Sequence, residues 1–269
     1  MSLTSLLKSE DVKEKFTIEF PMPNFTLTGH MIASPKTNHY ALVGTAFDYL
    51  MRFYLKRINP EAITQNWIAE SSDVSDKKIM KNIIRILNIS KKTYSDYLGN
   101  GEINDEVIRS CLLLAQLDSI YREGLIAPDM GIIDNRDIDD LKNLIRLVNY
   151  EVFRCKQLCM LNPTFGEASL LVGGADMDLL IDNTLIDIKT TKFLELKRDH
   201  LNQILGYYLL SLIGGIDNAP KNIKIDFVGI YYSRYGLLYR IDIAEIMAKC
   251  DLNKFIIWFK KRAKQEFNS

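Results

Sequence analysis

The sequence has no apolar run approaching the roughly 18–20 residues that cross a bilayer, so no membrane partner is expected. It has no surplus of charge either, since Lys+Arg and Asp+Glu both number 34. Proteins that coat nucleic acid indiscriminately usually carry excess positive charge. That mode is disfavoured here, while local basic clusters stay open. Cysteine is scarce, with four residues and no disulfide framework, which reads as free thiols in a cytoplasmic protein. Cys155 and Cys159 stand four apart and would share a helical face, but the sequence offers no further cysteine ligand nearby, and packing is the commoner role. No G-x-x-x-x-G-K-[ST] loop occurs, which excludes a phosphate-cradling motor within these residues. Residues 1–15 mix Lys and Glu without an apolar block, so no secretory signal is expected there.

What remains is globular composition, 47% apolar and 25% charged over 269 residues, enough to bury a core in one domain spanning 1–269. Residues 16–35, with Phe16, Ile18, Phe20 and three prolines, read as an extended arm or edge strand. Apolar residues recur at helical spacing over 42–58, and Pro60 ends that helix. Residues 61–160 read as helix after helix, clearest at 79–87, 107–121 and 138–160, with breaks at Gly99-Asn-Gly101 and Pro128-Asp-Met-Gly131. The acidic run from Asp134 to Asp140 reads as a solvated face or a helix start, since no glycine follows at calcium-loop spacing. After Asn162-Pro163 the apolar period falls from 3.6 to 2. A helix over 196–213, strands over 223–232 and 237–243, and a terminal helix to about 267 follow. This order predicts an α/β or α+β core with one central sheet.

The most informative stretch is 170–192. Two alternating apolar runs flank Asp182-Asn183, a pair suited to a two-residue hairpin turn. That turn places Asp178 opposite Asp187 and Asp176 opposite Lys189. All four then share one face, with Met177, Leu179, Ile181, Ile186 and Ile188 on the other. Facing carboxylates repel, so the arrangement is costly unless a cation sits between them. Oxygen donors from Asp178, Asp187 and the Ile188 carbonyl suit Mg2+ or Mn2+, with Lys189 placed to hold the attacking water in phosphodiester hydrolysis.

Asp178 followed nine residues later by Asp187-Ile188-Lys189 resembles the D…(D/E)-x-K signature of the PD-(D/E)XK nuclease superfamily. Gln203 and Tyr207 reproduce the Q-x-x-x-Y helix motif of its RecB-like branch, and Gly44 with Asp48 matches the G-x-x-x-(His or acid) helix of the same branch. The resemblance implies a restriction-endonuclease-like core, a central mixed sheet flanked by helices, with 61–160 as a helical insertion. It implies metal ligation by Asp48, Asp178, Asp187 and the Ile188 carbonyl. Lys189 would position the nucleophile, and Gln203 and Tyr207 would contact the DNA strand or orient the lysine. Asp176 rivals Asp178, because Gly173-Gly-Ala-Asp176 imitates the G-x-x-D spacing of the branch. Arg52 is placed to pair with or orient Asp48, His200 lies one turn before Gln203, and Glu167 is an auxiliary acidic candidate on the preceding strand. Lys192, Lys197, Arg198 and the basic run 260–264 are candidate phosphate contacts. The function expected is a metal-dependent DNA exonuclease acting on ends or single strands. The alternatives are a catalytically silent binding or assembly protein on the same fold, and a restriction endonuclease.

Overall fold

A computed structural model describes residues 2–72, 74–124, 126 and 130–267. The hairpin register is the one the Asp182-Asn183 turn requires: Ile181 pairs with Thr184, Leu180 with Leu185 and Leu179 with Ile186. Asp182 adopts a left-handed conformation (φ 51°), which Asp tolerates better than most side chains. Its carboxylate does further work, accepting the main-chain N–H groups of Lys156, Gln157 and Leu158.

The hairpin lies in the middle of a six-stranded mixed sheet whose spatial order follows the chain: β1 (Ile63–Thr64), β2 (Cys159–Leu161), β3 (Leu179–Ile181), β4 (Thr184–Lys189), β5 (Phe227–Tyr232) and β6 (Leu237–Asp242). The β1–β2 and β4–β5 neighbours are parallel and the others antiparallel. A parallel step needs a crossover, supplied between β4 and β5 by the helix Arg198–Gly214.

Helices cover both faces. On one, α1 (Leu3–Leu6) and α2 (Glu10–Glu19) lie with residues of the Arg198–Gly214 helix over Leu180, Leu185, Val228, Ile230 and Tyr232. On the other, α3 (Tyr40–Ile58), α4 (Lys77–Asn100), α5 (Asp105–Glu123) and α6 (Asn135–Arg146) cover Leu179, Ile181, Ile186 and Tyr231. The short α7 (Tyr150–Phe153) and α8 (Glu167–Leu171) precede the crossover helix, α9. The chain ends in α10 (Ile243–Met247) and α11 (Leu252–Phe267). Strands buried on both faces read as near-continuous apolar runs, as in Leu179-Leu-Ile181. No helix among the described residues is long and apolar enough to cross a membrane.

Four readings of the sequence need correction. Phe16–Phe20 is not a strand: Phe16 ends α2 one turn after Val12, and it and Phe20 meet the Phe255 ring edge-on at 5.2 and 4.7 Å. The spacing of Val12, Phe16 and Phe20 is helical, and the prolines begin only after it. Residues 61–160 are not all helix, because β1 and β2 bracket the helices as sheet strands; runs of two and three residues carry no period of their own. Cys159 lies on β2, so it shares no helical face with Cys155. The acidic run does start a helix, with Asp134 capping the Arg136 N–H, but it is not solvated throughout. Asp140 binds Arg234 through two hydrogen bonds (2.9 and 3.1 Å), both side chains 1% exposed, and Asp137 accepts from Thr37 at 2.6 Å. The partners lie about a hundred residues away, which no local pattern reveals. Pro128 and Asp129 lie outside the described residues.

Candidate active site

Beyond the Leu179–Ile186 pair the two hairpin strands part. Continuing the ladder would hand the Ile188 N–H to the Met177 carbonyl, but Met177 turns to Pro163, its N–H donating to that carbonyl at 3.0 Å. Asp178 takes the place instead, with Oδ2 accepting the Ile188 N–H at 2.6 Å. In a strand the N–H and C=O of one residue face the same side, so the Ile188 carbonyl is directed toward Asp178 as well. The expected single polar face is therefore corrected. Met177 packs with Leu180 and Leu185, whereas Leu179, Ile181, Ile186 and Ile188 pack on the opposite face. Strict alternation fails because β3 starts only at Leu179.

Asp187 and Lys189, two residues apart on β4, point to the side covered by α9. Lys189 Nζ is 2.7 Å from Asp187 Oδ2, a close ion pair. Lys189 Nζ donates to Gln203 Oε1 at 2.9 Å, and Gln203 Nε2 donates to the Tyr207 hydroxyl at 3.1 Å. One turn of α9 thus carries the lysine's acceptor and that acceptor's own anchor. Tyr207 in turn stacks on Phe165 with ring centroids 5.9 Å apart. Burial lowers the Lys189 pKa and the Asp187 and Asp178 carboxylates raise it, with a net rise that keeps the amine charged.

Asp48 approaches from α3. A side chain at Gly44, one turn earlier, would lie 3.9 Å from Thr190 just past β4, which places this face of α3 against the end of the strand. Asp48 Oδ2 accepts from Arg52 at 2.6 Å, while Oδ1 is buried without a donor. The Arg52 guanidinium rests 4.1 Å over the Tyr49 ring. Burial raises the Asp48 pKa, Arg52 lowers it, and Asp118 and Asp176 raise it, the net being upward. Burial also lifts Asp178, and Asp48 and Asp187 push it further, to well above the ordinary carboxylate value.

Asp176 does not join Lys189. It forms an isolated bridge with Thr164 and binds Arg122 of α5 at 3.0 Å. Arg122 also holds Asp118, whose other oxygen accepts from Tyr49 at 3.1 Å. The helices between β1 and β2 therefore supply part of the cluster, in residues that carry no motif. The available signal was Asp118 and Arg122 at i,i+4 within an otherwise apolar helix face. Five carboxylates (Asp48, Asp118, Asp176, Asp178, Asp187) share this region with three cations (Arg52, Arg122, Lys189).

The remaining candidates scatter. His200 has a half-buried ring with Nδ1 unpartnered, and burial and then Lys189 depress its pKa. Glu167 is exposed on α8, not on a strand. Lys192 donates to the Tyr40 hydroxyl at 2.6 Å, Lys197 pairs with Glu195 at 3.2 Å, and Arg198 turns inward to the Phe20 carbonyl at 2.7 Å. Within the run 260–264, Arg262 is tied to Asp11 and Glu266.

All the donors near Asp178 are oxygens, the chemistry a hard divalent cation prefers, and one of them, Asp48 Oδ1, is buried without a hydrogen-bond donor. Among the described residues, however, no three His, Cys, Asp or Glu side chains already converge on a metal position. Each acid leans on an internal partner instead. No known family model matches the chain, nor does any curated protein or solved structure.

Proposed function

We propose that this chain is a divalent-metal-dependent DNA nuclease of RecB-like type, built on a restriction-endonuclease-like core. One observation carries the reading: the Asp187–Lys189–Gln203–Tyr207 relay runs beside Asp178 and Asp48 in the order the signature implies. A packing role does not account for Asp48 and Asp178 side by side, two acids whose ionised forms burial disfavours.

Asp178, Asp187, Asp48 and the Ile188 carbonyl would hold Mg2+ or Mn2+, hard cations that take oxygen donors. When bound, the cation neutralises charge on the phosphate and acidifies water. The chain's own residues do the rest. Lys189, fixed by Gln203, orients the attacking water, and Tyr207 fixes Gln203 so that the amine keeps one position. Arg52 pairs with Asp48 and Lys189 with Asp187, support that a bound cation would in part replace. The expected partner is DNA, entered at an end or as a single strand.

A second reading, a binding or assembly protein without catalysis, is favoured by the lack of convergence among the acids. Incubation with end-labelled linear and closed circular DNA, in Mg2+, Mn2+ or EDTA, separates the readings. Metal-dependent loss of linear DNA supports the exonuclease, cutting of the circle at one fixed sequence points to a restriction endonuclease, and intact DNA under every metal favours the silent protein.

A further inference from the structure

At the other end of β4 the sheet face beneath the helices is left open. Thr184 and Ile186 border a trough of about 790 Å³, Thr184 lying roughly 16 Å along the strand from Lys189 at ~3.3 Å per residue. Its apolar part is Leu238, with Ile181 and Ile186 nearly covered beneath. Gly229 pairs with Ile186 on one side and Arg240 on the other, and having no side chain it lets Leu238 lie across it; a Cβ there would come within 3.2 Å of Leu238 Cδ1. The walls are basic. Arg154, Lys156 and Arg240 are exposed and form no ion pair among the described residues. Of the three acids on the lining, Asp226 is paired with Lys224 (2.7 Å), so Glu151 and Asp182 face three cations, and Asp182 is already held by three main-chain N–H groups. The Arg240 guanidinium lies 4.0 Å over the Phe227 ring, which holds its plane in one orientation at the edge of the trough.

We propose that this trough binds a nucleotide unit, its base lying against Leu238 or Arg240 and its phosphate meeting Arg154 and Lys156. An apolar side chain beside a guanidinium held in one plane and two further cations suits a ring that carries a phosphate better than it suits a flexible acidic peptide, which has no ring to stack. The inference goes beyond the nuclease reading and does not require it, since the trough shares no residue with the carboxylate cluster. The nucleotide could be free or part of a strand, and two probes distinguish these sources.

The test uses the full chain in EDTA, with fluorescein-labelled decathymidylate read by anisotropy and thymidine monophosphate read by calorimetry. Binding of either probe is expected to weaken about tenfold or more in Arg154→Glu and in Arg240→Glu, and by less in the milder Arg154→Gln. It should be unchanged in Lys249→Glu, an equal charge change at an exposed position elsewhere. It should also persist in Asp187→Asn, which separates the trough from the carboxylate cluster whatever that cluster does. The proposal is overturned if neither probe binds, if Lys249→Glu weakens binding as much as the trough variants, or if a decaglutamate peptide displaces the strand as well as unlabelled strand does.

Discussion

Asp178 Oδ2 accepts the Ile188 main-chain N–H at 2.6 Å, so a carboxylate closes a position in the sheet that a carbonyl would ordinarily fill. This bond makes Asp178 part of the hairpin as well as of the acidic cluster, and it separates Asp178 from Asp176, which is bound to Arg122 instead. Asp178→Asn should therefore lower metal-dependent DNA degradation by about a hundredfold or more, because it removes a metal donor. Asp176→Asn should retain most of the activity. Rates measured side by side under saturating Mn2+ decide between the two acids, and equal losses would count against Asp178 as the ligand.

Lys189 depends on Gln203 for its position. Truncating such an orienting partner typically costs ~10–100-fold, while removing the amine itself costs about 10²–10⁴-fold. Gln203→Ala is expected to lower kcat more than it raises KM, and Tyr207→Phe, which cuts only the outer link, to do so less. A Gln203→Ala enzyme with unchanged kcat would show that the relay is merely packing.

The Asp140–Arg234 pair anchors the segment 33–39 to α6, with Arg234 also donating to the Ala33 carbonyl at 3.0 Å. Asp140→Ala strands a guanidinium that is 1% exposed and should cost about 3–5 kcal/mol in urea unfolding. Replacing both partners with apolar residues of similar volume should recover part of that loss.

Asp182 supplies a pH dependence. Burial raises its pKa and the three main-chain N–H donors lower it further than burial raises it, so the folded-state value lies below the ordinary carboxylate value of 3.8. A depressed carboxylate pKa stabilises the fold above the unfolded value, and that contribution fades as pH falls through the lower folded value. Asp182→Ala should cost about 1–2 kcal/mol at neutral pH, through lost capping and a strained left-handed residue. The gap between wild type and variant should narrow in unfolding curves taken below pH 3.8.

Much of the site was legible because it is local. The Asp182-Asn183 turn sets the hairpin register, and the i,i+4 pair on α9 needs only helical spacing. What the sequence hid is tertiary. Asp118 and Arg122 reach the cluster only because α5 packs against α3, and Asp140 finds a partner more than ninety residues away. β1 and β2 are too short to show a period, and Phe16 was misread because proline follows it closely. The single polar face fails for a related reason: alternation assumes paired strands through 176–178, but β3 begins only at Leu179.

The most direct measurement is degradation of end-labelled linear DNA by wild type, Asp187→Asn and Lys189→Ala, purified alike and matched in thermal stability, with Mn2+ or with EDTA. The account predicts degradation by wild type in Mn2+ alone, abolished by EDTA and reduced about a hundredfold or more in both variants. Degradation that survives EDTA, or that proceeds at wild-type rate in either variant, would contradict it, as would a well-folded wild type that leaves the DNA intact in every metal.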